Sequence, residues 1–199
     1  MADKYFNIGK KAPTKPDAWD HIHEHAIGLG GQKFDISGLD ASKNSGYLYK
    51  GCPMFVETVS GERYARPVKT AVVVAGGTTS APRVSKNHLF KVGDFVYVSG
   101  DAVTINSIDV SNADYDVLTL SAACTGATAN AYLLQAVAAG ASPTLKYTAN
   151  ALLSRTEEIL TGGTCSCVFR IDEWVKASLL PYAITSADIA ALAPNIIIK

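Results

Sequence analysis

No apolar run in the chain approaches the roughly 20 residues that a membrane helix needs. The N-terminal stretch Met1 to Lys15 also lacks the hydrophobic core of a signal sequence. Neither spanning helices nor secretion by the usual route is expected, and the chain is expected to be made in a cytosol. An excess of either charge is missing too: 18 Lys and Arg stand against 18 Asp and Glu. Without a net field, binding to phosphate backbones or to anionic lipid is not expected. Charged residues of any kind are sparse, at 18%, where about a quarter is usual.

Cysteine is scarce as well. Cys52, Cys124, Cys165 and Cys167 do not form a staple framework, so free and mostly buried thiols are expected. There is no G-x-S-x-G elbow and no P-loop; the glycines in Ala75 to Ser80 lack the Walker lysine. No nucleophile, base and orienting group can be nominated together. The sequence predicts no enzyme, no catalytic residue, no cofactor and no metal ligand.

What is present is a 48% hydrophobic complement rich in small and β-branched residues, a mix suited to short strands and tight turns. Residues 1–40 read as an extended N-terminal arm: Pro13 and Pro16 discourage regular structure, and Gly28, Gly30 and Gly31 loosen the segment after the histidines. Tyr47 to Glu57 and Glu62 to Val74 read as strands around a Ser60-Gly61 turn. Arg83 to Lys86, Asp94 to Ser99, Val103 to Val110 and Tyr115 to Ser121 come next as short strands; Tyr132 to Val137 fits a last strand or a helical turn. Leu152 to Leu160 and Cys165 to Trp174 are strand-like, and Trp174 to Leu180 fits a short helix. Ser186 is expected to cap a helix over Ala187 to Leu192, with Asp188 in its first turn. The apolar end Ile196-Ile197-Ile198 is expected to be docked.

The fold class that results is mainly β with a short C-terminal helix. Residues 41–82 and 138–199 form a small β body, and residues 83–137 an inserted antiparallel, barrel-like β module. The stretch Ser85 to Val98, S-K-N-H-L-F-K-V-G-D-F-V-Y-V, and the stretch Ile108 to Leu120, I-D-V-S-N-A-D-Y-D-V-L-T-L, resemble the internal module of tailed-phage head fibre proteins. The end, Leu179 to Ile198, is similar to the closing helix and strand of capsid decoration proteins. The resemblance implies a structural virion protein, made in the host cytoplasm and seated on the outer surface of a capsid. It implies a homo-oligomer, a trimer favoured, whose partner is the major capsid protein. The arm would engage the shell and the module would face outward.

Four constellations invite chemistry, each with a plainer reading. His21, His23 and His25 share one face of an extended strand and could converge on a metal; solvated or interfacial imidazoles are the plainer expectation. Cys165 and Cys167 also share a strand face, where two buried thiols suffice as an account. Asp109, Asp114 and Asp116 cluster near a turn, where Asp caps local amides; the spacing is not an EF-hand loop. Glu157 and Glu158 have no obvious partner. Exposed Tyr97, Tyr115 and Tyr132 on the module would be the cue for the alternative, a receptor- or glycan-binding fibre or tail module taking a host surface glycan. Half-buried strand tyrosines with wet hydroxyls are the plainer account.

Overall fold

The computed structural model describes residues 18–19, 24–27, 32–40, 42, 46–159, 163–171, 174–193 and 195–199; for 24–27 it describes the backbone. The first strands are β1 (Glu24–Ile27), β2 (Gln32–Phe34), β3 (Tyr47–Leu48), β4 (Pro53–Val59) and β5 (Glu62–Pro67). A second set comprises β6 (Thr70–Val74), β7 (Arg83–Ser85), β8 (Phe95–Tyr97), β9 (Val103–Asp109), β10 (Tyr115–Leu120) and β11 (Tyr132–Ala136). The chain closes with β12 (Ala151–Leu153), β13 (Glu157–Glu158), β14 (Thr164–Cys165), β15 (Cys167–Ile171) and β16 (Trp174–Val175). A 3-10 turn at Ala177–Leu179, helix α1 (Ser186–Leu192) and β17 (Ile197–Ile198) complete it. The protein is mainly β with one short C-terminal helix, as its composition predicts.

The body is a seven-stranded sheet in the order β1-β15-β12-β4-β5-β2-β14. Neighbouring strands run antiparallel except β2 and β5, which are parallel. Side-chain alternation gives this sheet a core on each face. Met54, Ala151, Leu153 and Cys167 pack on one side, while Leu152 and Val168 pack with Trp19, Val175 and Ile196 on the other. That double burial explains why β12 is apolar at every position. Ser60 and Gly61, at φ 52° and 83°, join β4 to β5 with Val59 opposite Glu62. Two successive left-handed residues are what a two-residue hairpin turn requires, so the expected hairpin forms.

The second set of strands closes into a barrel in the order β10-β7-β6-β11-β8-β9. Val73, Val84, Val96, Ile105, Leu118 and Leu133 fill its interior around Phe90, leaving packed side chains rather than a channel. The barrel starts at Thr70, thirteen residues before the expected start at Arg83. Only Val68 and Lys69 separate β5 from β6, so no turn residue marks the boundary. Strand β6 changes allegiance by pairing with β7 and with β11. Tyr132–Ala136, open in sequence between strand and helical turn, is that pairing strand.

The described parts of the expected arm, residues 18–19, 24–27 and 32–40, belong to the body. Strand β2 lies between β5 and β14, and Ala18 and Trp19 are buried against the C-terminal segment. Residues 1–17, 20–23 and 28–31 of the expected arm lie outside the described residues. The C-terminal helix is capped by Thr185, not by Ser186 as expected. Thr185 Oγ1 accepts from Asp188 N–H at 3.1 Å, and Asp188 Oδ2 accepts from Thr185 N–H at 3.3 Å. The reciprocal pair needs the acid three residues after the cap, and only Thr185 has that spacing. The apolar end is docked: β17 pairs in parallel with β16, and Ile196 is fully buried.

Candidate functional site

Consecutive residues Leu89 and Phe90 enter different cores, Leu89 the body's and Phe90 the barrel's. The segment around them therefore seams the two units, and two networks of polar side chains lie along that seam.

Asp116 follows the inward parity of β10, sharing its face with Leu118 and Leu120. Its carboxylate is shared: Lys86 Nζ lies 2.7 Å from Oδ1, and His88 Nε2 lies 3.0 Å from Oδ2. The His88 side chain is fully buried. Its Nδ1 accepts the Phe90 N–H at 3.2 Å, so the ring proton sits on Nε2 and is donated to Asp116. Lys86 also donates to the Val110 carbonyl at 2.9 Å. This network has an acid, a histidine and an ammonium but no nucleophile within it.

The network forms one wall of a cleft of about 510 Å³. Val92, Ile108 and Val110 make the cleft's apolar side. Lys86, Asn87 and Asp116 line it from the barrel, and Asp40 and Ser42 from the turn opposite. That turn is held by Asp40 Oδ1, which accepts from the Ser42 N–H at 2.9 Å and from its hydroxyl at 2.6 Å. Val92 and Val110 are 57% and 58% exposed, and both face this cleft.

A second buried network ties the units together. Lys69 Nζ donates to Asp94 Oδ2 at 2.6 Å and to the Gly38 carbonyl. Gln135 Nε2 and the Lys91 N–H donate to the same carboxylate at 3.1 and 2.9 Å. Burial pulls Lys69 below the ordinary lysine range, and the Asp94 charge opposes that pull. A small cavity of about 40 Å³ lies beside it, between Arg66, Tyr147 and Lys146. Arg66 is held there by Asp35, at 2.8 Å, and by Glu57.

The residues singled out from sequence are dispersed. His21 and His23 lie outside the described residues, as does the side chain of His25, whose backbone pairs with Arg170. Asp109 does cap its turn, accepting the Ser111 N–H at 2.9 Å, which lowers its pKa. Asp114 instead donates its N–H to Asn112 Oδ1. Asp116 is not a turn cap at all; strand parity turns it inward. Glu157 has a partner, Arg155 Nε at 2.8 Å. All four cysteines are free and buried, and Cys52, Cys165 and Cys167 share one core. Among the described residues, no group of His, Cys, Asp or Glu could hold a metal ion.

Tyr97 and Tyr132 lie on the paired strands β8 and β11, with Tyr97 opposite Leu134, and Tyr115 lies on β10. Tyr132 is 41% exposed, while Tyr97 and Tyr115 are half-buried, with the Arg83 guanidinium 4.5 Å over the Tyr115 ring. A different apolar patch was missed in the sequence: Trp174 and Ile197, opposite one another across β16 and β17, are 52% and 50% exposed. Lys199 Nζ sits 3.9 Å over the Trp174 ring. Among the described residues no helix is long and apolar enough to cross a membrane. Comparison with protein-family models, curated proteins and solved structures finds no match for this chain.

Proposed function

We propose that this chain is a non-enzymatic structural protein of a tailed-phage virion, a head fibre or decoration protein attached to the outside of the capsid. The observation that carries the reading is the anchorage of the N-terminal segment. The Ala18 carbonyl accepts the Lys176 N–H at 3.3 Å, and Trp19 is buried beneath the Lys50 ammonium, 4.6 Å above its ring. That anchor lies two residues along the chain from the exposed Trp174, whose neighbour across the strand pair is the exposed Ile197. An exposed apolar patch at this anchor supports a grip in which linked weak contacts raise avidity without one strong bond. The mechanism is buried area and multivalency, strengthened by oligomerisation with a trimer favoured. The partner in this reading is the major capsid protein, and the polar networks serve to brace the barrel against the body.

The test is a co-sedimentation assay with particles purified from the producing host. Deleting residues 1–40 would strip β2 from within the sheet, so the informative truncation removes 1–17. The truncated protein is expected to stay folded and to lose particle binding. Undiminished decoration, or absence of the protein from purified particles, would overturn the reading.

A further inference from the structure

We infer that Lys69 and Gln135 join in an intramolecular isopeptide bond, formed by the folded chain itself with Asp94 as the proton carrier. The inference goes beyond capsid attachment and does not rest on it. Each chain reacts once, on itself, so the protein remains no enzyme. Three observations carry the inference.

The first is register. Strands β6 and β11 pair with Thr70 opposite Leu134 and Ala71 opposite Leu133. One step further along the same ladder sets Lys69 opposite Gln135, and directly opposed side chains start about 5 Å apart. Asp94 stands just before Phe95 of β8, the strand on the other side of β11. Strand parity gives all three residues the inward direction of Ala71, Leu133 and Val96, which lie in the barrel core. An amine, an amide and a carboxylate therefore meet at one end of the barrel.

The second is hydrogen bonding. Asp94 Oδ2 accepts from Lys69 Nζ at 2.6 Å, and Oδ1 accepts from Gln135 Nε2 at 3.1 Å. One carboxylate thus touches both the attacking nitrogen and the leaving one, within the reach of a general acid–base. A proton passes from the Lys69 ammonium to Asp94 and frees the amine. Nζ attacks Gln135 Cδ, Asp94 hands its proton to Nε2 and takes one from Nζ, and the Cδ–Nε2 bond breaks. Ammonia takes the last proton from Asp94 and leaves as ammonium. The Lys69–Gln135 amide remains, with no oxidant or co-reactant needed.

The third is the surroundings. Lys69, Asp94 and Gln135 are all buried. Burial pulls Lys69 below the ordinary lysine range, and the charges of Lys91 and Lys146 add to that pull against the opposition of Asp94. The free amine, which is the nucleophile, is less costly here than in water. Nζ also donates to the Gly38 carbonyl, which limits its freedom before attack. Lys69, Gln135 and Lys146 all line the cavity of about 40 Å³. A void of that size holds a molecule as small as water or ammonia. The Lys146 ammonium favours the negative charge that develops on the amide oxygen as Nζ attacks.

The experiment is intact mass spectrometry of the purified full chain, followed by tandem mapping of its proteolytic peptides. The wild type is expected to be lighter than its sequence requires by one ammonia, with Lys69 and Gln135 in one linked peptide pair. Lys69→Arg, Asp94→Asn and Gln135→Leu are each expected to have the full mass of their own sequences. Gln135→Leu removes the electrophile alone and decides the matter where Asp94→Asn does not fold. A wild type of full sequence mass after prolonged incubation at neutral pH would overturn the inference. So would an ammonia loss mapped elsewhere, a loss of one water linking Lys69 to Asp94, or a link that persists in Asp94→Asn.

Discussion

Lys69 Nζ lies 2.6 Å from Asp94 Oδ2, with the two side chains only 3% and 8% exposed. The pair joins the two-residue bridge between β5 and β6 to the residue just before β8, and through the Gly38 carbonyl to the segment after β2. Three chain regions distant in sequence meet at one ammonium. Removing one partner leaves a buried charge uncompensated, which costs about 3–5 kcal/mol. Asp94→Asn is therefore expected to lower the denaturation midpoint sharply, and Lys69→Met to do so by a comparable amount. Lys69→Met with Asp94→Asn is expected to recover part of the loss, because the amide oxygen still accepts from Lys91 N–H. Urea denaturation of the three variants checks this; additive losses in the double variant would show that the pair is not coupled.

Strand parity made much of this fold legible. Val96, flanked by Phe95 and Tyr97, and Leu118 with Leu120 point inward as alternation predicts. The Ser60-Gly61 turn announced its hairpin. The same parity, carried two residues further, would have turned Asp116 inward with Leu118; reading it by its nearness to a turn hid the buried network. Lys69 gives no such signal, since a lone lysine between Val68 and Thr70 is ordinarily a solvated one. Strand β6 reads with the body in sequence because its barrel partner β11 lies some 60 residues on, and single-sequence patterning does not see pairing at that range. The cleft was illegible for a similar reason: its walls come from five separate stretches between Asp40 and Asp116.

The Asp116 carboxylate holds the barrel side of that cleft. Asp116→Asn keeps the shape but removes the charge opposite Lys86 and permits an N–H to face His88 Nε2–H. The expected loss is about 1.5–3 kcal/mol, the worth of hydrogen bonds to a charged group. Lys86→Met, whose side chain is a third exposed, should cost less. Thermal melts of the two variants give the order; Asp116→Asn melting at the wild-type temperature would mean that the network contributes nothing.

The thiols predict a pH dependence. Burial pushes Cys52 well above its ordinary 9.0, and Cys167 rises as well, through its hydrogen bond with Cys165 and through burial. A thiol whose folded pKa is raised stays neutral when folded but ionises when unfolded. The folded state then binds more protons, so its stability is full below the unfolded pKa and declines as pH rises above it. Stability is thus expected to be level through neutrality and to fall above about pH 9, by about 1.4 kcal/mol per pH unit for each blocked thiol. Cys52→Ala is expected to lessen that slope while lowering stability at neutral pH. In a thiol-reagent assay all four cysteines should be silent in the native protein and reactive in guanidinium. Fast native-state labelling would contradict their burial.

Asp188 does two jobs with one carboxylate. Oδ2 completes the cap with Thr185, and Oδ1 accepts the buried Ala149 N–H at 2.8 Å, stitching α1 to the chain that returns from the barrel. Thr185→Ala loses the cap alone and is expected to cost about 1 kcal/mol. Asp188→Ala loses both functions and leaves a buried amide without an acceptor, so a loss of about 2–4 kcal/mol is expected. Ser186→Ala changes neither contact and is expected to be near neutral, although sequence alone would have made it the cap. For a chain of this length each kcal/mol shifts the melting temperature by about 2–4 °C, so calorimetry resolves the order Asp188, Thr185, Ser186. A Ser186→Ala variant that melts below Thr185→Ala would move the cap back by one residue and undo the assignment of the box.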